Sequence, residues 1–366
     1  MPEASRPRLQ RIGLEEVRAI ARGAAVLGTG GGGDPHIGAL MASAAIRAHG
    51  PVELTALEDL PDDAVVLPVA MMGAPTVMVE KIPSGDQVGR AVQTLTEHLG
   101  LRVTHVACIE AGGVNSLVPV AAAAELGLPL VDGDGMGRAF PELQQVLLTL
   151  CGVRATPMAV VDEKGNRAVL DTVDNHWAER LARSITIDMG CSAMISNYAM
   201  DGAAARHGLV PGTLSLAAST GALLEPGAGG DDPAAAVAAH LGGSVVVRGK
   251  VVDVERRTTT GFARGTAVLE GSGPHAGRTL TIEFQNENLM LRDAGRVLST
   301  APDLICCLDA ATGAAITTES LRFGHRVSVV VAPCDPRWTT PEGLALAGPS
   351  AFGYSDDAVL LEGVPA

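Results

Sequence analysis

Aromatic side chains are nearly absent from this 366-residue chain: Trp, Tyr and Phe together make up 2% of it. Its cores must therefore be Val, Leu, Ala and Met packed against close backbone, which the 44 glycines permit. Positive charge is also scarce, with 27 Lys and Arg against 41 Asp and Glu and a formal net charge of -14. Such a surface repels phosphate backbones and anionic lipid unless a local basic patch intervenes. The longest basic run is the pair Arg256-Arg257, so charge excludes nucleic acid and membrane surfaces as partners. An anionic small molecule is not excluded, because one or two arginines in a pocket outweigh the global field. No apolar stretch reaches the roughly 20 residues of a membrane span, and the polar first turn of the sequence holds no signal core. The six cysteines show no C-x-x-C spacing, so neither a disulfide scaffold nor a zinc knuckle is expected, and the chain reads as cytoplasmic.

What is present points to two domains, since the chain exceeds the roughly 250–300 residues at which one core stops growing. Leu14 to Leu27 has helical spacing, with Leu14, Val17, Ile20 and Ala21 on one face. Asp34-Pro35 reads as N-cap and first residue of a second helix. Apolar strands at Val65–Ala70, Val103–Ile109 and Pro129–Val131 then alternate with helices at Ser84–Leu99, Asn115–Leu126 and Phe140–Leu150. That alternation predicts an α/β domain over residues 1–173, a mostly parallel sheet with flanking helices. Residues 174–366 form the second domain: a helical connection with a strand at Ile185–Met189, then antiparallel β-structure from about Ser244, a barrel or sandwich.

The strongest local signal is Gly28-Thr29-Gly30-Gly31-Gly32-Gly33-Asp34. Consecutive glycines are entropically unfavourable unless positive φ or close backbone approach requires them. Converging N–H groups before a helix also suit an anion. A dinucleotide fingerprint needs a strand ahead of the glycines, and a helix stands there instead. Gly30, Gly31, Gly32 and Gly33 are therefore read as a substrate or anion loop, with a purely structural bend as the alternative.

Acids cluster where strands end: Glu80, Glu110, Asp132 and Asp134, joined by Asn115 and the Asp34 loop. Ligands of open α/β sheets bind outside the carboxyl ends of the strands. Carboxyls brought together in apolar surroundings raise one another's pKa and divide acid and base work. Glu110, Asp134, Glu80 and Asp34 are the catalytic candidates; Asn115, Asp132 and Arg138 are the substrate contacts. The plain alternative is that Asp132-Gly133-Asp134-Gly135 is a turn and Asp34 only a cap. Cys108 sits inside an apolar strand, and Cys191 in a more accessible turn is the better nucleophile candidate. No His-Glu-x-x-His spacing exists, which leaves a divalent metal such as zinc, held by carboxylates and one His, as an open alternative.

Six blocks carry a resemblance: LGTGGGGD at Leu27–Asp34, PVAMMGAPTVMVEK at Pro68–Lys81, VDGDGMGRAF at Val131–Phe140, GKVVDVERR at Gly249–Arg257, IEFQNENL at Ile282–Leu289 and CDPRW at Cys334–Trp338. Together they resemble the S-methyl thiohydantoin desulfurase family from about Leu14 to Tyr354. The resemblance implies an N-terminal α/β domain and a β-rich C-terminal domain. For function it implies hydrolysis of an S-methyl thiohydantoin to a hydantoin with release of methanethiol, a late step of ergothioneine breakdown. A non-catalytic subunit associated with a hydantoinase or oxoprolinase is the other expectation it raises, and a homo-oligomer acting on a small molecule is the expected assembly. Of the catalytic candidates, Glu110 or Asp134 is the expected water activator, with the Gly30–Gly33 amides as donors.

Overall fold

A computed structural model describes residues 8–73, 77, 81, 85–259 and 262–361. Its first sheet has ten strands, and its centre is the parallel set β2 (Val52–Ala56), β5 (Leu130–Asp134), β4 (His105–Cys108) and β3 (Val65–Gly73). The flanks run the other way. β1 (Arg11–Ile12) pairs antiparallel with β2, while β8 (Ser192–Ser196), β6 (Met158–Val161) and β7 (Arg167–Leu170) extend the β3 side antiparallel. Short strands β9 (Met200–Asp201) and β10 (Val210–Pro211) add two more antiparallel pairings. The sheet is therefore mixed, and the expectation of a mostly parallel one holds only for its four central strands. The physical reason is that β6 and β7 form a hairpin, and β8 follows them to fill the place beside β3. Strands β8 to β10 come from beyond residue 174, so both halves of the sequence build this sheet.

Helices cover both faces: α1 (Leu14–Leu27), α2 (Pro35–His49), α3 (Gln87–Leu99), α4 (Val118–Leu126), α5 (Asn175–Asp188) and α6 (Thr213–Leu223). With so few aromatics the interior closes by backbone approach. An added Cβ at Gly23 of α1 would lie 1.8 Å from the Ala217 carbonyl of α6, and one at Gly221 would lie 1.8 Å from that of Ala19. The two helices thus meet through glycines, and any larger side chain there would force them apart.

Two expected elements are corrected. Ile185–Met189 is not a strand; it closes α5, whose N-cap Asp174 accepts from the Trp177 amide at 2.8 Å. The β-branched pair Ile185 and Thr186 misled, because burial of Ala178, Ala182 and Thr186 on one face outweighs intrinsic preference. The predicted helix at Phe140–Leu150 shrinks to Leu147–Leu150. Side chains take the amides a helix would need: Leu143 N–H donates to Glu179 and Glu142 N–H to Gln145.

The second sheet has seven antiparallel strands, in the order β15 (Arg296–Thr300), β14 (Glu287–Asp293), β13 (Thr279–Gln285), β12 (Phe262–Gly271), β11 (Ser244–Thr259), β17 (Arg326–Ala332) and β16 (Leu304–Asp309). It curls into a half-barrel. Val245–Val247 and Val251–Val254 belong to one strand, β11, interrupted by irregularities at Val245/Val247 and Val251/Asp253 that bend it. Among the described residues no helix is long and apolar enough to cross a membrane.

Candidate active site

A cleft lies where β3 and β4 end. Its wall includes Ala70–Gly73 at the end of β3 and Ile109 and Glu110 beyond β4. Gly32 and Gly33 form its rim, and Asn286 and Glu287 of the β13–β14 hairpin reach in from the second sheet. Phe140 to Leu143 and the Glu179–Arg183 ion pair complete the opposite side.

Glu110 is 6% exposed and clamped by Asn115, whose Nδ2 donates to Glu110 Oε1 at 2.7 Å. The Asn115 amide is itself fixed, accepting from Met71 N at 2.8 Å and donating to Met71 O at 3.1 Å. Burial raises the Glu110 carboxyl from its ordinary 4.5 to about 7; the Asn115 bond opposes the rise and the charge of Asp134 adds to it. A carboxyl titrating there is half ionised at neutral pH, the range in which a general base works best.

The glycine loop explains why the two sheets can meet here. Thr29, Gly30, Gly32 and Gly33 all have positive φ, from 51° to 94°. At Gly31 the constraint is space: an added Cβ would lie 1.9 Å from Glu287 Oε1. The loop is bonded from three directions, through Val114 N to Gly32 O, Thr318 N to Gly30 O and Asn288 N to Thr29 O, each at 2.8 Å. Two of the four Gly30–Gly33 amides are occupied. Gly31 N–H donates to Gly28 O at 2.8 Å and Gly32 N–H to Glu287 Oε1 at 3.3 Å. The expected ring of four donors for an external anion is thus reduced, because a carboxyl of the protein's own takes one of them.

The other predicted residues divide clearly. Asp134 is buried but stands behind the cleft, its Oδ2 accepting from Met136 N at 2.8 Å and Gly137 N at 2.9 Å. Asp132 holds the start of α6, accepting from Leu214 N, Ser215 N and Ser215 Oγ at 3.0, 3.2 and 2.5 Å. Arg138, the expected substrate contact, is fully buried. It donates to Thr29 Oγ1 and to the carbonyls of Ala139, Asn288, Pro302 and Asp303, a bolt between the glycine loop and the second sheet. Asp34 is exposed and caps α2 by accepting from His36 N at 2.8 Å. Glu80 lies outside the described residues. Cys108 is buried, its thiol pushed well up by burial, and it offers no nucleophile at neutral pH. Among the described residues no three His, Cys, Asp or Glu side chains come together as a metal site.

From the sequence, Asn286 and Asn288 read as part of a loop between two strands, with a polar ligand contact as the alternative, and Glu287 is not singled out as a cleft residue. The stretch Ile282–Leu289 reads as a loop between strands, whereas it is a hairpin that Asn286 turns at a φ of 57°. Its signal was an acid flanked by two asparagines within an apolar strand pattern, which only long-range pairing places against Gly31.

A family model for the S-Me-THD-like N-terminal domain matches residues 15–172, and one for the S-Me-THD-like C-terminal domain matches residues 173–360. A crystal structure of a protein from Chromobacterium violaceum is similar along 96% of this chain and 100% of its own, with a TM-score of 0.80 at 24% identity. That likeness bears on the fold. No curated protein matches the chain.

Proposed function

The chain belongs to the S-Me-THD-like family, and from that membership we propose that it is a hydrolase of cyclic thioimidates, converting an S-methyl thiohydantoin to the hydantoin with release of methanethiol. One observation supports the chemistry above the others: Glu110, a buried carboxyl at about 7, opens onto a partly apolar cleft and is oriented by Asn115. Ala70, Met71, Met72 and Ile109 offer an apolar wall against which a flat ring can lie. Water between that ring and Glu110 would lose a proton to the carboxylate as its oxygen adds to the carbon bearing sulfur. Methanethiolate then leaves.

The test is release of free thiol from S-methyl thiohydantoins by the purified protein, followed with a thiol-reactive dye. Turnover is expected, rising with pH through about 7 as Glu110 ionises. Absence of thiol release from a panel with different ring substituents would sink the reading. Thiol released only after a hydantoinase-type subunit is added would instead assign the chain an accessory role.

A further inference from the structure

Glu287 is buried at 3% exposure, lines the same cleft as Glu110, and arrives there from the other sheet. Its Oε1 faces the Gly32 amide, while its buried Oε2 has no hydrogen-bond partner among the described residues. A buried carboxyl oxygen without a partner is costly unless it carries a proton or meets a ligand. Glu110 and Glu287 flank one pair of touching glycines. A Cβ on Gly32 would lie 2.6 Å from Gly112 Cα, and a Cβ on Gly112 would lie 3.1 Å from Glu110 Oε1. The absence of side chains at Gly31, Gly32 and Gly112 is what leaves the two carboxyls facing a common space.

We propose that Glu287 is the acid partner of Glu110: it delivers a proton to the ring nitrogen of the substrate while Glu110 takes one from water. The inference rests on the hydrolase reading above. The step balances. As the water oxygen bonds to the ring carbon, one water proton goes to Glu110 and the C=N pair moves onto nitrogen, which takes the Glu287 proton. The tetrahedral carbon then collapses to C=O, its hydroxyl proton returning to Glu287. The C–S bond breaks, and methanethiolate takes the proton held by Glu110. Both carboxyls end as they began.

Charges around the pair favour this division of labour. Burial, then the charge of Glu110 and that of Glu319, push the Glu287 carboxyl well above the usual carboxylate range, while Arg138 offsets only part. Glu110 feels burial first, then Asp134 against the donors Asn115 and the Phe140 amide. Glu142 and the Glu179–Arg183 pair line the opposite wall. Glu287 therefore keeps its proton while Glu110 loses one.

Two measurements on the full chain test this. The first is the pH profile of kcat/KM for wild type, Glu287→Gln and Glu287→Asp. A bell is expected for wild type. Glu287→Gln should fall about 100-fold at the optimum and lose the alkaline limb; Glu287→Asp should keep that limb at reduced rate. Wild-type turnover and an unchanged alkaline limb in a folded Glu287→Gln would overturn the assignment. The second is infrared spectroscopy of the protein without substrate. A buried protonated carboxyl band that persists above pH 7, where Glu110 and Asp134 have ionised, is expected, absent from Glu287→Gln and titrating at lower pH in Glu110→Gln. No such band in wild type would overturn the proposal. A band that follows these variants in a protein that releases no thiol would retain Glu287 as the proton holder while the thiohydantoin reading falls.

Discussion

The tips of β4 and β5 are adjacent in the sheet and both carry buried carboxyls, yet they are built for different ends. At β4, Glu110 is held by one side-chain donor, Asn115, and opens onto the cleft. At β5, Asp132 and Asp134 accept from four backbone amides between them, and neither lines the cleft. Backbone donors that fold back on a carboxylate fix a turn or a helix start. The Asn115 clamp fixes the orientation of Glu110, whose carboxyl lines the cleft. Proximity to a strand end therefore nominates an acid, and its hydrogen-bond partners decide what it does.

The comparison is most exposed to Glu110→Gln. The amide keeps the volume and an acceptor for Asn115 but cannot take a proton, so kcat/KM for thiol release should drop by about 100- to 10,000-fold, with the fold intact by circular dichroism. Asp134→Asn is the matched change one strand over. Because the Asp134 side chain does not itself line the cleft, turnover within about threefold of wild type is expected, with the Met136–Gly137 turn weakened by roughly 1 kcal/mol. A large loss of kcat/KM in Asp134→Asn would erase the distinction between the two tips.

Stability against pH sharpens it further. Glu110 and Asp134 rise from ordinary values of 4.5 and 3.8 to about 7, chiefly by burial. The folded state thus binds protons that the unfolded chain has released. Their stabilising effect is complete below about pH 4 and is lost as pH climbs through 7, a few kcal/mol at most for each group. Thermal melts should fall between about pH 5 and pH 8. Glu110→Gln and Asp134→Asn should each flatten that slope, but only the first should abolish turnover.

The fold was legible wherever one residue type dominates a local choice. Leu14–Leu27 and the Asp34-Pro35 start of α2 follow from periodicity and capping, and the cores of β3, β4 and β5 follow from apolar runs. Glu110 and Asn115 were recognisable as acid and amide just past an apolar strand. What could not be read was set by contacts distant in sequence. Arg138 looks like a pocket arginine until Asn288, Pro302 and Asp303 supply its acceptors, roughly 150 residues away. Glu287 becomes a cleft residue only because β13 and β14 pair and turn toward Gly31. The antiparallel flank of the first sheet likewise depends on where β8 returns, which no local pattern encodes.

Asp34 gives the smallest effect and the cleanest control on the rule drawn from the two tips. It neighbours the glycine loop in sequence, which made it a catalytic candidate, but its carboxylate turns outward to the His36 amide. Asp34→Ala removes an N-cap, so a loss of about 1 kcal/mol in urea unfolding is expected, with kcat/KM unchanged within about twofold. Asp34→Asn and Asp34→Ser should recover most of that stability, since both side chains cap well. Should Asp34→Ala instead lose turnover while Asp34→Asn fails to restore it, a charge at the start of α2 would matter to the cleft. The partner of a carboxylate would then not be a sufficient guide to its role.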